Sequence, residues 1–288
     1  LKNKMGNVAN ASSETELRGA LAWLVGEEGR GVRTIIDMVA LTRFDCIMGS
    51  AAGMRMALTQ ALHHSRHRAA FSRLLVEQPL MKNVLADLAL ESEAALALTM
   101  RLAGALDRQA DEKEALLVRL GTALGKYWVC KRTPGHAYEA MECIGGSGVM
   151  EDCIMPRLFR ESPVNAIWEG SGNVQCLDLL RIMQKTPAAL EVFVAELDQA
   201  RGHNRHFDNC LRQLHRELAD PGHIEYRLRK VVERMALAWQ GALLIRQGEA
   251  AVADAFCAGR LQDGGGRQYG TLPHGVDCRA ILARALAG

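Results

Sequence analysis

Apolar residues recur at helical spacing over most of the chain. Between 34 and 67, Ile35, Met38, Val39, Ile47, Met48, Met54, Met56, Leu58 and Leu62 are separated by alanine and glycine, which predicts one long buried helix. A period of about 3.6 returns over 74–108, carried by Leu85, Leu88 and Leu90, and over 112–132, carried by Leu116, Leu117, Leu120 and Leu124. Pro134-Gly135 predicts a break or kink, because proline lacks the amide its own helix needs, before a further helix reaches Ile144. A fourth segment covers 173–184, and four such helices with short joins predict an all-α, up-and-down bundle.

Both ends differ from this middle. Leu17–Val25 is a short apolar run closed by a turn-forming stretch from Gly26 to Gly31, and it reads as a strand. Thr186-Pro187 is the expected internal boundary, since a proline often opens a helix just after another has stopped. Three regions result: 1–33, 34–185 and 186–288. The last carries helical patterns over 188–218 and 222–248, split at Asp220-Pro221-Gly222. A short helix over 249–258, a glycine-rich loop around Asp263 to Gly266 and a terminal helix from Asp277 follow.

Composition narrows the function classes. The balance of 49% hydrophobic and 24% charged residues is ordinary for a globular chain of 288 residues. A net charge of +2 gives no nucleic-acid signal from the whole chain. The eight cysteines include no Cys-X-X-Cys pair, so they read as reduced thiols of a cytoplasmic protein, not as a disulfide frame or zinc site. No apolar run reaches membrane-spanning length and no leader pattern is seen.

Candidate chemistry concentrates between 142 and 176. Glu142-Cys143-Ile144-Gly145-Gly146-Ser147-Gly148 is glycine-rich, Pro156-Arg157-Leu158-Phe159-Arg160 follows, and Trp168-Glu169-Gly170-Ser171-Gly172-Asn173 leads into the fourth helix. Ser171 or Asn173 is placed to cap that helix. Glu169, beside an aromatic ring and a helix start, is a candidate general base. It is equally the type of acid that favours a helix dipole. The glycines can be a plain helix C-cap, and Arg157 and Arg160 can be surface partners of Glu151, Asp152 or Glu161. His63 and His67 have metal-ligand spacing, but no third ligand is visible, so no metal is expected.

Together these segments resemble the acyl-CoA dehydrogenase family. Trp168-Glu169-Gly170-Ser171 is similar to its aromatic-Glu-Gly-Thr/Ser signature, and Glu142 to Gly148 to its Gln-X-X-Gly-Gly-X-Gly segment. Arg68-Ala69-Ala70-Phe71-Ser72 is similar to its Arg-X-X-Phe-Gly segment. The wording around MPRLFRESPVNAIWEGSGNVQCLDLLR points to the alkylation-response, AidB-like subgroup, with similarity from about residue 16 to the end. Glu142 stands where many members have glutamine, Ser72 replaces a glycine, and Trp168 is larger than the usual tyrosine.

The resemblance implies a C-terminal helical bundle with an extra helical region and a short remnant of a middle β-domain over 1–33. The chain then reads as the C-terminal part of a longer protein. It implies FAD as cofactor and an acyl-CoA as substrate, with Glu169 taking the α-proton. Trp168, Ser171 and Asn173 would lie near the flavin, while Arg68, Phe71, Glu142, Gly145 and Gly146 would serve the FAD of a second subunit, making a dimer or tetramer. Thr42 and Arg43 in LTRFD match substrate-cavity positions. The same subgroup is associated with DNA binding and weak dehydrogenase activity, so double-stranded DNA is the alternative partner. Eight basic residues against five acids between 201 and 234 give the candidate surface, with Arg212, Arg216, Arg227 and Lys230 as phosphate ligands. A helical assembly module without either activity is a third reading.

Overall fold

A computed structural model describes residues 1–262 and 275–286; the glycine-rich loop expected at 263–266 lies outside the described residues. Helix α1 (Gly31–His67) buries Ile47, Met54, Leu58 and Leu62 on one face. Its other face leaves Ile35, Met38, Met48 and Met56 exposed, so the helix expected to be buried throughout is covered on one side only. Apolar residues lie all round it, and periodicity alone cannot tell which side is packed.

Helix α2 (Pro79–Asp107) starts with proline at its first turn, where a missing amide costs nothing. The Asp111 side chain opens α3 (Glu112–Ile144) by accepting from the amides of Lys113 and Glu114 at 2.8 and 3.3 Å. This helix runs through Pro134 without the expected break. A proline removes one i to i−4 bond, whereas residues 121–130 before it and His136, Ala137 and Ala140 after it are all buried, so packing on both sides carries the helix across.

The short α4 (Met155–Glu161) leads back to α5 (Gly172–Lys185). Direction follows from contacts: the Cys130 thiol donates to the Cys46 carbonyl at 3.3 Å, and a Cβ on Gly125 would lie 2.9 Å from Ile47, one on Gly53 3.9 Å from Thr133. Residue numbers rise together in α1 and α3, so these two helices are parallel. The C-terminal ends of both therefore lie at one end of the bundle.

Beyond Thr186 come α6 (Pro187–Asp198), α7 (Arg205–Ala219), α8 (Ile224–Gln247), α9 (Ala250–Arg260) and α10 (Cys278–Leu286). The helix expected over 188–218 is divided between α6 and α7. Gly202 takes φ +86°, and the Asn204 side chain caps α7 by accepting from the amides of His206 and Phe207.

The core is continuous across Thr186-Pro187. Trp239 of α8 is fully buried against Gly121 of α3, where a Cβ would come within 2.7 Å of its ring, and Phe193 of α6 meets it edge-on at 5.7 Å. Charge also ties the two parts together. Arg260 of α9 reaches Asp87 and Glu91 of α2, and Arg132 of α3 donates to both Glu91 carboxylate oxygens at 3.1 Å.

Leu17–Val25 forms no strand; these residues are exposed and take part in no ladder, and a strand exists only through its ladder. The one ladder among the described residues joins β1 (Ala69–Ala70) to β2 (Arg73–Leu74). No described helix is long and apolar enough to cross a membrane.

Candidate functional site

The chain reverses between the 3₁₀ turn at Val164–Ala166 and α5 through two consecutive left-handed residues, Glu169 at φ +57° and Gly170 at φ +100°. Glycine suits its position doubly, since a Cβ there would also lie 2.8 Å from the Gln175 amide nitrogen. Glutamate does not favour such a backbone, which costs roughly 1 kcal/mol or more. What holds it are its carbonyl's two donors, Arg43 Nε at 3.0 Å and Gln175 Nε2 at 3.1 Å. The next carbonyl, of Gly170, accepts from Lys126 Nζ and Gln175 Nε2, both at 2.9 Å, and Lys126 also reaches the Asn165 carbonyl at 3.1 Å. Burial pushes the Lys126 ammonium below its ordinary pKa.

The turn is held by its backbone carbonyls, and its carboxylate takes no part in that. Glu169 is half-buried, and among the described residues its carboxylate makes no hydrogen bond or ion pair. Beside it, Trp168 Nε1 donates to Asn165 Oδ1 at 3.2 Å, and Asn165 Nδ2 donates to Ser50 Oγ at 3.3 Å, which fixes the indole next to the acid. Ser171 is the N-cap residue of α5, but its side chain makes no cap bond, and neither does Asn173, contrary to expectation. The first amides of that helix are left for another acceptor.

Behind the turn lies a buried acid. Asp178 of α5 meets Arg43 NH1 at 2.8 Å, Arg119 NH2 at 3.0 Å and Arg119 NH1 at 3.2 Å. Burial alone would raise its pKa, but the two guanidiniums outweigh that and hold the carboxyl below its ordinary value. Arg43, expected at the substrate, places one donor on Asp178 and another on the Glu169 carbonyl. Thr42, its expected companion, donates its hydroxyl to the Val39 carbonyl at 3.1 Å. A position on a helix does not by itself reveal that Arg43 will reach a buried acid on another helix.

The second group of candidates gathers elsewhere. Residues 69–74 make a tight hairpin with Phe71 at φ +51° and Ser72 at φ +63°, which thrusts Phe71 to 96% exposure at the tip; Arg68, also exposed, precedes it. At the end of α3, Gly145 takes φ +75°, and added Cβ atoms at Gly145 and Gly146 would meet nothing within 4 Å. Glu142 is exposed just before them. Arg43 and Arg68 are roughly 37 Å apart along α1, and Lys126 and Gly145 roughly 28 Å apart along α3. The acid turn and the hairpin-glycine group are therefore two separate surfaces of one chain.

The basic C-terminal candidates also find partners. Arg227 donates to the carbonyls of Asp220, Gly222 and Glu217 at the end of α7, and it pairs with the Asp220 carboxylate at 3.2 Å. These bonds close the end of that helix. Lys230 pairs with Glu217 at 3.6 Å, and Arg212 reaches the Asn209 side chain. Arg216 is exposed and lines, with Arg212 and His206, a cavity of about 370 Å³. Arg160 forms a two-pronged pair with Glu151. His63 and His67 stack at 4.5 Å, and His67 Nδ1 bonds the His63 carbonyl.

Sequence reasoning missed Lys126, Gln175 and Asp178. The available signal was polarity in the wrong place: Lys126 lies inside a wholly buried run, and Gln175 and Asp178 flank Cys176 and Leu179 on the packed face of α5.

Comparison with known proteins identifies the family and the fold. Residues 29–184 match the family profile described as acyl-CoA dehydrogenase, C-terminal domain. AidB of Escherichia coli strain K12 is 43% identical over 266 residues, covering 92% of this chain and 49% of AidB. The crystal structure of Caenorhabditis elegans ACDH-11 in complex with C11-CoA superposes with TM-score 0.81 at 29% identity, covering 89% of this chain and 47% of that one. A Bacillus anthracis acyl-CoA dehydrogenase complexed with FAD shares the fold, with TM-score 0.65 at 16% identity over 82% of this chain and 49% of that one. The chain thus spans about half the length of these relatives.

Proposed function

The chain belongs to the acyl-CoA dehydrogenase family, and from that premise we propose that it supplies the base-bearing helical part of an FAD-dependent site that dehydrogenates an acyl-CoA thioester. The observation that carries the reading is the unbonded, half-exposed Glu169 carboxylate on a turn locked from behind by Arg43, Gln175 and Lys126. A base needs lone pairs that are uncommitted and a backbone that is held, and both features of this turn support the reading.

In the reaction, the α-carbon's C–H bond breaks, its proton passes to a Glu169 oxygen, and the freed electron pair forms the α,β double bond. FAD, when bound, accepts the β-hydrogen as hydride. The groups that suit FAD are the uncapped amides at Ser171 to Asn173, the open backbone of Gly145 and Gly146, and the exposed Arg68 and Phe71. The acid turn and the hairpin-glycine group serve one cofactor only if a second copy contributes the latter, so the working unit is at least a dimer.

Two experiments test this. The flavin of the FAD-loaded protein should bleach when an acyl-CoA thioester is added without oxygen, and a flavin left oxidised by every chain length sinks the reading. Mixing Glu169→Gln with Arg68→Ala subunits should restore activity that neither has alone, whereas two inactive proteins that stay inactive argue against a shared site. DNA association is the less favoured function, because Arg227 and Lys230 are already paired.

A further inference from the structure

We propose that Asp178 is the positioning residue of the base, acting through Arg43; this rests on reading Glu169 as the proton acceptor. The connection is short and closed. Arg119 on α3 holds Asp178 on α5 with two bonds, Asp178 holds Arg43 NH1 on α1 at 2.8 Å, and Arg43 Nε holds the Glu169 carbonyl at 3.0 Å. Both Asp178 and Arg43 are largely shielded, with side-chain exposures of 10% and 17%.

A guanidinium is planar, so fixing one of its nitrogens fixes the direction of the others. Asp178 thereby aims Nε at a carbonyl whose residue sits in a backbone conformation that glutamate disfavours. Arg181 also approaches Asp178, but only at 3.9 Å and from solvent, so it does not replace either inner partner. With the carboxylate gone, Arg43 keeps its charge and loses its orientation, and the turn loses one of the two donors on Glu169. Gln175 alone remains, and its amide is already shared with the Gly170 carbonyl. The acid then samples positions away from the α-carbon, while groups that bind the thioester are untouched.

Asp178→Asn keeps the volume and removes the charge; Asp178→Glu restores the charge one methylene further out. In the FAD-loaded protein, Asp178→Asn should lower the rate of flavin reduction by about tenfold to a hundredfold, the scale of a small misplacement of a reacting group, with KM within about twofold of wild type. Asp178→Glu should recover part of that rate. In the flavin-free protein, amide exchange over 165–175 should quicken in Asp178→Asn and not in Gly121→Ala, a core variant that also weakens the fold. A wild-type rate in Asp178→Asn overturns the proposal. So does a loss no greater than that of Gly121→Ala, a change confined to KM, or unaltered exchange over 165–175. Should Glu169→Gln stay active, the reading of the base fails by itself, and the exchange experiment still reports whether Asp178 holds the turn.

Discussion

His136 allows a quantitative test of how α2 and α3 pack in the bundle core. Its ring is fully buried, and Nε2 lies 3.0 Å from the Leu88 carbonyl, which can only accept, so Nε2 carries the proton. Burial is the largest influence and pushes the imidazole down to about 4, opposed by the Leu88 bond and by Glu91. Arg132 and Arg260 add to the lowering. Below about pH 6.5 the unfolded chain takes up a proton at this position while the folded chain refuses it until about pH 4, so folding stability declines across that window. The shift corresponds to about 3 kcal/mol in total, or about 1.4 kcal/mol per pH unit. Glu91 has the opposite chemistry with the same consequence. Burial would raise its carboxyl, but Arg132 and Arg260 hold it at about 2 against an ordinary value of 4.5, so its contribution is present above pH 4.5 and is lost as pH falls toward 2. Urea unfolding of wild type and His136→Gln at half-unit steps from pH 7 to 4.5 isolates the histidine, because the remaining titrations are common to both. The stability advantage of wild type over the variant should shrink steadily as pH falls. A difference that stays flat with pH would falsify the claim that this histidine is kept neutral in the core between α2 and α3.

Three further outcomes follow from particular contacts. Gly121→Ala places a methyl 2.7 Å from the Trp239 ring and 2.8 Å from Leu102, so thermal unfolding should show a loss of about 1–3 kcal/mol; an unchanged Tm means α8 does not dock as described. Ser72→Gly relieves a left-handed backbone at the hairpin turn and should raise stability by about 0.5–1 kcal/mol in denaturant titration, where a loss would contradict the turn geometry. Arg227→Ala removes the guanidinium that closes α7 and should destabilise by about 1 kcal/mol even without nucleic acid, so weaker DNA retention by this variant is informative only against Arg216→Ala, which has no such duty.

The helices were legible because apolar periodicity is a property of neighbouring residues. Helices α2, α5, α8 and α9 lie close to where the pattern places them. Pro134 misled, since a local rule for breaking helices competes with burial on both sides that only the packed bundle reveals. Gly202 and Asn204 were the overlooked punctuation between α6 and α7, a positive-φ glycine and a helix cap two residues apart. At the candidate site, the Trp-Glu-Gly-Ser wording singled out the turn, yet the residues that grip it, Arg43, Lys126, Gln175 and Asp178, come from three helices. Nothing in a linear pattern marks them except charge where an apolar residue would otherwise pack. The basic stretch over 201–234 shows the converse: composition counted its positive charges, and the fold had already assigned several of them to helix ends and nearby acids.

Stopped-flow reduction of bound FAD by an acyl-CoA thioester in Glu169→Gln addresses the proposed function most directly. The substitution keeps the shape of the side chain and removes its ability to take a proton, so the rate should drop by about 10²–10⁴-fold while flavin and thioester still bind. Reduction at the wild-type rate would contradict the account and place the base elsewhere.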